Sequence, residues 1–476
     1  MNIKISKKIF RDYDIRGVYP DDMNEDIAYL IGKALGTDLF SKNITNIVLG
    51  RDDRESSPSL AKNIIKGILE AGCNVTYIDI TLTPIIHYLT CAFNFDAGVM
   101  VTASHNPKEF NGIRIDLKNA VSYYGEDLQR LYTIIESGKY SQGMGIYREE
   151  PLSLKYTEFI KENFFLRRKM KVIIDCGSGA SSFLAPKIFK ELGMDIEPVY
   201  CSYDSNFPHG VPDPENNIFL EELKNHVIKH KGDIGIGFDT DGDRFGIVDE
   251  KGNSYSNDYV LMLFSKYVLL KNPGATVVYD VKCSQLLEEV IPNFNGVPKM
   301  IRTGHPYLFK ETSEGKAILG AEYSGHMFFA DKYYGYDDGI YSSCRVLELM
   351  DNTGLPLSKL MDEFPRREAT SEIKLPCSDE NKFKVIDKLK KILKTNIKED
   401  RLTFIDGVRV KLSSTGWFLI RASNTSPYIS VRAEGRDKKE LNFILKQVKI
   451  YLSGYDEIEL GNLQALLIDS VKWDTI

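Results

Sequence analysis

The sequence lacks the short motifs that identify several large functional classes. Its seven cysteines are scattered and none forms a CxxC pair, so neither a zinc site nor a disulfide framework is expected. A Walker A motif is absent. The segment GSGAS at 177–181 falls short of the dinucleotide-binding fingerprint and indicates only a tight turn between a strand and a helix.

An excess of positive charge is absent as well. The chain has 61 Lys and Arg residues against 67 Asp and Glu residues, which gives a net charge of −6. A general nucleic-acid binder usually carries a basic face, so no nucleic-acid partner is expected. A small anionic substrate needs only a few converging Arg and Lys side chains, which this balance allows.

No hydrophobic run is long enough to cross a membrane. The longest strongly apolar stretch, VLMLFSKYVLL at 260–270, is interrupted by Lys266 and is far shorter than the roughly 20 residues that span a bilayer. The segment MNIKISKKIF at 1–10 is basic but contains no apolar region typical of a signal peptide. We therefore expect a cytoplasmic protein with no membrane partner.

The length and the apolar content indicate several folded domains. The chain has 476 residues, of which 43% are hydrophobic, whereas single cores stop growing at about 250–300 residues. Three β-branched runs, NIVLG (46–50), KVIID (171–175) and TVVYD (276–280), predict buried strands. Each run is followed by a turn and a helical pattern, and this repeated order predicts tandem α/β units.

The C-terminal part of the chain has a different pattern. Short strands are predicted in DRLTFIDGVRVKLSSTGWFLIRAS, and one amphipathic helix is predicted in KKELNFILKQVKIYLSG. We therefore predict an α/β protein with three similar α/β domains, at 1–150, 151–250 and 251–366. A smaller α+β domain is predicted at 367–476.

The first candidate motif is VTASHNP at 101–107. A strand pattern ends there in Ser104, His105 and Asn106, and the Asn-Pro pair favours a turn. The motif is either an ordinary loop or an exposed serine at the carboxyl end of a strand, where open α/β sheets place their chemistry. In the second case, His105 and Asn106 could polarise or position a ligand.

The second candidate motif is GFDTDGDRFG at 237–246. Asp239, Asp241 and Asp243 alternate along it, and such hard oxygen ligands suit Mg²⁺ or Ca²⁺. Three carboxylates this close repel each other, and a divalent cation relieves that repulsion. An EF-hand is excluded because Arg244 occupies the position that needs glycine and because the flanks resemble strands. We predict a cation site in which Arg244 lies beside a phosphoryl group.

The third candidate motif is GAEYSGH at 320–326. It offers a carboxylate on Glu322, a hydroxyl on Ser324 and an imidazole on His326. The carboxylate and the hydroxyl could form hydrogen bonds to vicinal sugar hydroxyls, although a glycine-rich turn with a structural histidine would look the same.

The fourth candidate motif is RASNTSP at 421–427. A guanidinium on Arg421 precedes three hydroxyls and one amide, a dense set of donors for a phosphate dianion. Serine, asparagine and threonine also favour plain turns, but the arginine at the head of the motif favours the phosphate interpretation.

Smaller candidates each place one basic or imidazole group in a predicted loop. They are Arg16 in YDIRG, Lys282 in DVKC and His305 in RTGH. In addition, His226 and His230 have i, i+4 spacing on a predicted helix, but no third ligand is nearby, so a solvated helix face is favoured over a metal site.

Together, the motifs TASHNP, DTDGDR, GAEYSGH and RASNTSP resemble the α-D-phosphohexomutases, nearest to their bacterial phosphomannomutase/phosphoglucomutase branch. All four occur in the order and at the wide spacings of that family, and the resemblance covers nearly the whole chain. It implies a heart-shaped enzyme of four domains, with mixed sheets in the first three and one loop per domain facing a central cleft. It also implies small-molecule sugar phosphates as substrates, and a monomer or homodimer.

The resemblance further implies a phosphoserine mechanism. Phosphate on Ser104 would pass to the free hydroxyl of a hexose phosphate, giving a hexose 1,6-bisphosphate that turns over without leaving and returns its other phosphate to the serine. Mg²⁺ would be held by Asp239, Asp241, Asp243 and an oxygen of the phosphoserine.

The same resemblance assigns roles to residues at matching positions. The expected catalytic residues are Ser104, His105, Arg114, Arg244 and His326. The expected substrate-binding residues are Tyr13, Arg16, Lys282, His305, Glu322, Ser324, Arg421, Ser423, Asn424 and Thr425.

Two positions depart from the family pattern. Arg114 lies where relatives usually carry lysine, and because arginine is effectively never deprotonated, we expect it to stabilise charge, with His326 as the alternative proton-transfer group. Tyr323 lies where the dual mannose/glucose branch commonly carries methionine. The sugar preference therefore stays open between glucose, mannose and glucosamine phosphates.

Two rival functions use the same residues. A phosphatase would give the phosphate of Ser104 to water, but a hydrolase need not hold a second phosphate, and RASNTSP argues against it. A catalytically silent sugar-phosphate binder is disfavoured because Ser104 and the three aspartates are intact.

Overall fold

The first sheet of the protein is mixed, with both parallel and antiparallel strands. The structure is a computed structural model, and it describes residues 5–424 and 426–471. The strands of this sheet are β1 (Ile15–Val18), β2 (Asn46–Arg51), β3 (Asn74–Ile80), β4 (Ala97–Val101), β5 (Phe110–Leu117), β6 (Val121–Ser122) and β7 (Tyr147–Glu149). Their order is β1-β5-β4-β2-β3-β7, with β6 paired to β5. Strands β2, β3, β4 and β7 are parallel, whereas β5 is antiparallel to each of its neighbours.

Two further sheets are built on the same plan. The second contains β8 (Lys171–Asp175), β9 (Asp195–Val199), β10 (Ile234–Phe238), β11 (Phe245–Asp249) and β12 (Ser254–Tyr255), in the order β12-β11-β10-β8-β9. The third contains β13 (Thr276–Asp280), β14 (Val297–Ile301), β15 (Leu319–Ala321) and β16 (Met327–Phe329), in the order β14-β13-β15-β16.

The three sheets share one core topology. Each is built on four strands that follow one another in the chain. The first of the four lies between the second and the third and is parallel to both, and the fourth pairs antiparallel with the third. The three sets are β2 to β5, β8 to β11 and β13 to β16. The loop between the third and fourth strands therefore leaves each sheet at the same edge. Those three loops carry Ser104, the aspartates 239–243 and the segment 322–326, which places the first three motifs at equivalent positions.

The fourth sheet has six strands and is antiparallel. Its strands are β17 (Glu368–Ala369), β18 (Ile373–Pro376), β19 (Leu402–Thr403), β20 (Val408–Lys411), β21 (Trp417–Ala422) and β22 (Tyr428–Gly435). The order is β17-β22-β21-β20-β19, and β18 also pairs with β22. The RASNTSP motif begins in the last two residues of β21, and its described residues Ser423, Asn424, Ser426 and Pro427 lie between β21 and β22.

Helices cover the sheets. The helices between β1 and β7 are α1 (Glu25–Ser41), α2 (Ser57–Glu70), α3 (Thr83–Ala92) and α4 (Glu126–Ser137). Between residues 151 and 366 follow α5 (Ser153–Asn163), α6 (Ala185–Glu191), α7 (Asn217–His230), α8 (Asn257–Leu269), α9 (Leu286–Asn293), α10 (His305–Ser313), α11 (Gly339–Thr353) and α12 (Leu357–Met361). The part of the chain that contains the fourth sheet adds α13 (Lys382–Asn396), α14 (Lys438–Leu452) and α15 (Gly461–Val471).

These elements confirm the predicted fold class of three similar α/β domains with mixed sheets and a smaller C-terminal α+β domain. The predicted runs KVIID and TVVYD coincide with β8 and β13, and the flanks of the aspartate motif are strands β10 and β11, as the rejection of an EF-hand required. In the last domain, the single predicted helix corresponds to α14, and the sequence analysis missed α13 and α15. The domain boundaries at 150, 250 and 366 stay predictions.

One buried apolar cluster is shared by the first three domains. It includes Met100 on one face of the first sheet, Ile174 and Ile236 of the second sheet, and Leu319 of the third. Such shared packing holds the three loops in a fixed relation. Among the described helices, none is both long and apolar enough to traverse a bilayer.

Helix α11 begins directly against the aspartate loop. The backbone N–H of Gly339 donates to the carbonyl of Gly242 at 3.1 Å, and Asp338 caps the helix by accepting from the N–H of Tyr341 at 2.8 Å. A Cβ at position 339 would lie 2.7 Å from the carbonyl oxygen of Arg244, closer than real contacts allow. Glycine at 339 is therefore required for the helix to approach the loop.

We expect Gly339→Ala to lower the free energy of unfolding by about 1–3 kcal/mol, because the new methyl group meets backbone that cannot move aside. Thermal unfolding measures the effect. Gly461→Ala is the matched control, since a Cβ there would have no atom of the described residues within 4 Å. Equal melting temperatures for the two variants would contradict the close approach.

Candidate active site

Ser104 occupies a strained turn at the end of β4. Its φ is +46°, a left-handed conformation that few non-glycine residues adopt. The Ser104 N–H donates to Thr102 Oγ1 at 2.9 Å, and Ser104 Oγ donates to Asp239 Oδ2 at 3.0 Å. His105 Nδ1 lies 3.1 Å from the same Oγ. The serine hydroxyl thus bridges the first domain and the aspartate loop of the second.

Arg54, which the sequence analysis did not identify, holds the serine turn in place. Its guanidinium donates to the carbonyls of Ser104 (2.6 Å), Asn106 (2.8 Å), Pro107 (2.8 Å) and Phe110 (3.0 Å). The side chain is fully buried and paired with Asp52 at 3.1 Å. In the sequence, Arg54 is marked only by the charged RDDRESSP turn after β2. That turn does not indicate that Arg54 contacts residues about fifty positions further along the chain.

The three aspartates of the second loop lie together and are buried. Oxygen atoms of Asp239, Asp241 and Asp243 all lie within 4.8 Å of one another. Asp239 accepts from the N–H groups of Gly242 and Arg244, which leaves its carboxylate fixed. Asp241 Oδ2 accepts from Thr83 Oγ1 at 2.6 Å, an interaction with the first domain.

This carboxylate cluster fits a metal ion. Asp241 Oδ1 and Asp243 Oδ1 are buried and have no hydrogen-bond partner among the described residues. Burial, together with repulsion from neighbouring aspartates, raises the pKa of Asp241. Burial raises the pKa of Asp239 as well, although Arg244 opposes this. Unpartnered oxygens on mutually repelling carboxylates are the donor set that a hard divalent cation satisfies.

Arg244 lies between the serine and the sugar loop. Its Nε donates to Asp239 Oδ2 at 3.0 Å and its Nη1 donates to Asp213 Oδ1 at 3.0 Å. Nη2 has no partner among the described residues. One N–H edge of this buried guanidinium is therefore available for an anionic oxygen.

The sugar loop and Arg114 meet the aspartates from the other side. Glu322 accepts from the N–H of Gly304 at 2.5 Å and lies 2.9 Å from His326 Nδ1. Arg114 donates to Asp243 at 2.8 Å and to Asp337 at 3.2 Å, and His326 Nε2 lies 3.6 Å from both aspartates. Burial alone would lower the pKa of His326, but Asp243 and Glu322 raise it to about 10.

Arg114 keeps its charge in this setting. Burial alone would lower its pKa, but Asp337, Asp116 and Asp243 raise it above the ordinary value. This agrees with the expectation that position 114 stabilises charge and does not transfer a proton. Asp337 was not identified from the sequence, where it is one of three aspartates in the tyrosine-rich loop between β16 and α11.

The phosphate loop faces the cleft from the fourth domain. Arg421 is buried and donates to Asp406 Oδ2 at 3.0 Å, and Ser423 Oγ accepts from the N–H of Ser426 at 3.2 Å. Asn424 Nδ2 donates to the hydroxyl of Tyr13 at 2.7 Å, and that hydroxyl donates to the carbonyl of Thr303 at 2.9 Å. Thr425, also predicted, lies outside the described residues.

The remaining predicted residues line the same cleft. Arg16 donates to Asn106 Oδ1 at 2.6 Å beside the serine turn. Lys282 is buried, with its Nζ 3.9 Å from Glu215 and from Glu372. His305 packs edge-on against Tyr13, with ring centres 5.8 Å apart.

Two adjoining cavities are lined by most of the predicted residues. The larger, of about 420 Å³, is lined by Ser104, Arg114, Asp241, Asp243, Glu322 and His326. The smaller, of about 130 Å³, is lined by Arg244, Lys282, Arg421, Ser423 and Asn424. Both are bordered by Tyr13, His105 and Ser324. A larger surface depression of about 780 Å³ contains none of the predicted site residues.

Tyr323 does not line either cavity. Its ring lies under the guanidinium of Arg432 at 3.7 Å and borders a separate cavity behind the sugar loop. The Tyr323 side chain, which replaces the methionine common in the dual-specificity branch, therefore does not contact the space where a sugar would lie. Its identity gives no direct information on sugar preference.

Family models match along nearly the whole chain. The phosphoglucomutase/phosphomannomutase alpha/beta/alpha domains I, II and III match residues 7–142, 154–252 and 256–367. The C-terminal domain of the same family matches residues 372–450.

Individual relatives cover the chain to a similar extent. The phosphomannomutase/phosphoglucomutase of Pseudomonas syringae pv. tomato is 38% identical over 92% of this chain and 93% of its own length. The phosphomannomutase/phosphoglucomutase of Pseudomonas aeruginosa is 36% identical over 94% and 96%. A crystal structure of a phosphoglucomutase/phosphomannomutase family protein from Burkholderia thailandensis superposes with a TM-score of 0.88, at 34% identity, over 95% of this chain and 98% of that one.

We expect a divalent cation to raise the melting temperature of the protein and Asp241→Asn to remove most of that increase. The cation would relieve repulsion in the folded state, and a ligand at 100 times its dissociation constant adds about 2.7 kcal/mol of stability. Thermal unfolding with Mg²⁺ and with chelator measures the effect. Asp26→Asn, on the exposed start of α1, is the control. An undiminished increase in the Asp241→Asn variant would contradict a metal site at this loop.

Proposed function

The chain belongs to the phosphoglucomutase/phosphomannomutase family, and from that premise we propose that it interconverts hexose 1-phosphates and hexose 6-phosphates. It is an intramolecular phosphotransferase, and glucose and mannose phosphates are its first candidate substrates. The observation that carries the proposal is the pair of adjoining cavities, with a serine hydroxyl at one end and the phosphate loop with Arg421 at the other.

In the proposed reaction, the phosphoryl group on Ser104 passes to the free hydroxyl of a bound hexose phosphate. The bond between phosphorus and Ser104 Oγ breaks, the bond between phosphorus and the sugar oxygen forms, and the hydroxyl proton is transferred, in net terms, to Ser104 Oγ. The product is a hexose 1,6-bisphosphate. After this intermediate turns over, the reverse transfer of its other phosphoryl group restores the phosphoserine and leaves the isomeric monophosphate.

Phosphoryl transfer depends chiefly on positioning and on neutralising charge. The unpartnered Nη2 of Arg244 and the buried guanidinium of Arg114 supply fixed positive charge beside Ser104. His105, at 3.1 Å from Ser104 Oγ, can orient the serine side chain, and His326 is the candidate for proton transfer. Arg54 keeps the serine turn in its strained conformation throughout.

We assign the metal site to Mg²⁺, held by Asp239, Asp241, Asp243 and an oxygen of the phosphoserine. The unpartnered oxygens of Asp241 and Asp243 support this assignment. When bound there, Mg²⁺ would neutralise negative charge on the phosphoryl oxygens.

The substrate is held mainly from the third and fourth domains. Arg421, Ser423, Asn424, Thr425 and Lys282 bind the phosphate that is not being transferred. Glu322 and Ser324 hold sugar hydroxyls, and Tyr13, Arg16 and His305 border the sugar. The hydrogen bonds that join Asn424, Tyr13 and Thr303 link three domains across the cleft and favour exclusion of water from the phosphoserine.

Two alternatives remain weaker. Phosphoglucosamine mutase activity would use the same residues on an amino sugar, and no group in the described cavities distinguishes it. A phosphatase is disfavoured because Arg421 and Lys282 lie at the end of the cleft opposite Ser104, where a simple hydrolase needs no second phosphate site.

Replacing Ser104 tests the proposal directly. Mass spectrometry of the purified protein should find phosphate on Ser104, and Ser104→Ala should lower turnover at least about 10³-fold, because the group that carries the phosphate is gone. The fold should be unchanged, since alanine removes only a hydroxyl. Ser137→Ala, at the exposed end of α4, is the control. Near-normal turnover of glucose 1-phosphate by Ser104→Ala would refute the phosphoserine mechanism.

A further inference from the structure

We propose that Lys374 binds a phosphate group of the sugar bisphosphate while the intermediate turns over, and so retains it in the cleft. This inference rests on the proposed mutase function, which requires the intermediate to exchange the positions of its two phosphates. Lys374 belongs to none of the four sequence motifs.

The position of Lys374 follows from the alternation of strand β18. Ile373 and Leu375 are buried in the core of the fourth domain, whereas Lys374 is exposed between them. Alternate residues of a strand lie on opposite faces, so Glu372 and Lys374 share the face that borders the cleft. The strand is held by β22, where Lys374 is paired with Ser430, and by Asn462, which donates to the carbonyl of Lys374 at 2.7 Å.

Lys374 lines both cavities of the active site. It borders the larger one together with Ser104 and His105, and the smaller one together with Lys282 and Arg421. A phosphate moving from one end of the cleft to the other therefore passes within reach of its ammonium group. Its Nζ lies over the ring of Tyr428, 5.7 Å from the ring centre, and Tyr428 borders both cavities too.

The other arginine and lysine side chains that line the two cavities are each paired with a carboxylate. The pairs are Arg11 with Asp379 (3.8 Å), Arg16 with Asp14 (2.7 Å), Arg114 with Asp243 (2.8 Å), Arg244 with Asp239 (3.0 Å), Lys282 with Glu215 and Glu372 (3.9 Å each) and Arg421 with Asp406 (3.0 Å). Lys374 has no carboxylate oxygen within 4.0 Å of its Nζ in the described part of the chain. It is thus the lining cation with the least compensated charge.

This difference matters for a phosphate dianion. Around the phosphate loop, the two cations Lys282 and Arg421 face three carboxylates, those of Glu215, Glu372 and Asp406, so the paired groups offer no net positive charge. Moving a phosphate dianion from water into such a region costs free energy, and further positive charge is needed to offset that cost. Lys374 supplies that charge. Partial loss of solvent in the cleft would by itself lower its pKa, but Tyr428 and Glu215 raise it, so the side chain stays protonated.

The test measures how often the intermediate escapes. The enzyme is phosphorylated with ³²P-labelled glucose 1,6-bisphosphate and mixed with unlabelled glucose 1-phosphate. Label is then counted in free bisphosphate and in glucose 6-phosphate. We expect Lys374→Met, which keeps the apolar stem over Tyr428, to release labelled bisphosphate about tenfold more often per turnover, the effect of losing one charge-assisted hydrogen bond. Its turnover should recover when unlabelled bisphosphate is supplied in excess.

Two further variants make the outcome specific. Lys374→Arg should behave like the unsubstituted enzyme, since the charge is retained. Lys446→Met, which removes an exposed lysine on α14 away from the cavities, should change nothing. Normal retention by Lys374→Met, or escape from Lys374→Arg equal to that of Lys374→Met, would overturn the inference. Absence of labelled 6-phosphate from the unsubstituted enzyme would instead overturn the mutase function itself.

Discussion

Repulsion between buried carboxylates is the constraint on which the rest of the cleft depends. Asp239, Asp241 and Asp243 are packed together out of water, where like charges are costly unless cations lie beside them. Arg244 and Arg114 supply part of that charge, and the unpartnered carboxylate oxygens leave room for a metal ion to supply the rest. At the other end of the cleft, Lys282 and Arg421 are likewise paired with acids. The protein thus holds its cations in fixed positions, so that phosphate groups meet charge that needs no rearrangement.

The architecture explains how one cleft can serve two phosphate positions. Three sheets with the same topology each present the loop between their third and fourth strands, which brings the serine, the aspartates and the sugar loop to one place. The buried apolar cluster that the first three domains share keeps those loops in a fixed relation. The antiparallel fourth domain adds the phosphate loop from the opposite side, and Asn424 and Tyr13 join it to the first domain. Transfer and anchoring are therefore carried out by different domains.

The sequence predicted the fold class and the loops because both depend on local signals. Buried β-branched runs predicted β8 and β13, and the alternating aspartates between IGIGF and FGIVD predicted the carboxylate cluster between two strands. Arg54, Asp337 and Lys374 were missed because each acts through contacts distant in sequence. Arg54 reaches carbonyls of the serine turn, Asp337 meets Arg114, and Lys374 is exposed to the cleft only because β18 packs on β22. No pattern of neighbouring residues distinguishes such side chains from ordinary surface charge.

Phosphorus NMR of the unsubstituted protein with Mg²⁺, glucose 1-phosphate and a trace of glucose 1,6-bisphosphate tests the central claim most directly. A second sample with mannose 1-phosphate ranks the two sugars by rate. The account predicts conversion of the 1-phosphate to the 6-phosphate with no inorganic phosphate, because water is excluded while the phosphoryl group moves between Ser104 and the sugar. Release of inorganic phosphate in place of the 6-phosphate would contradict it and identify a hydrolase.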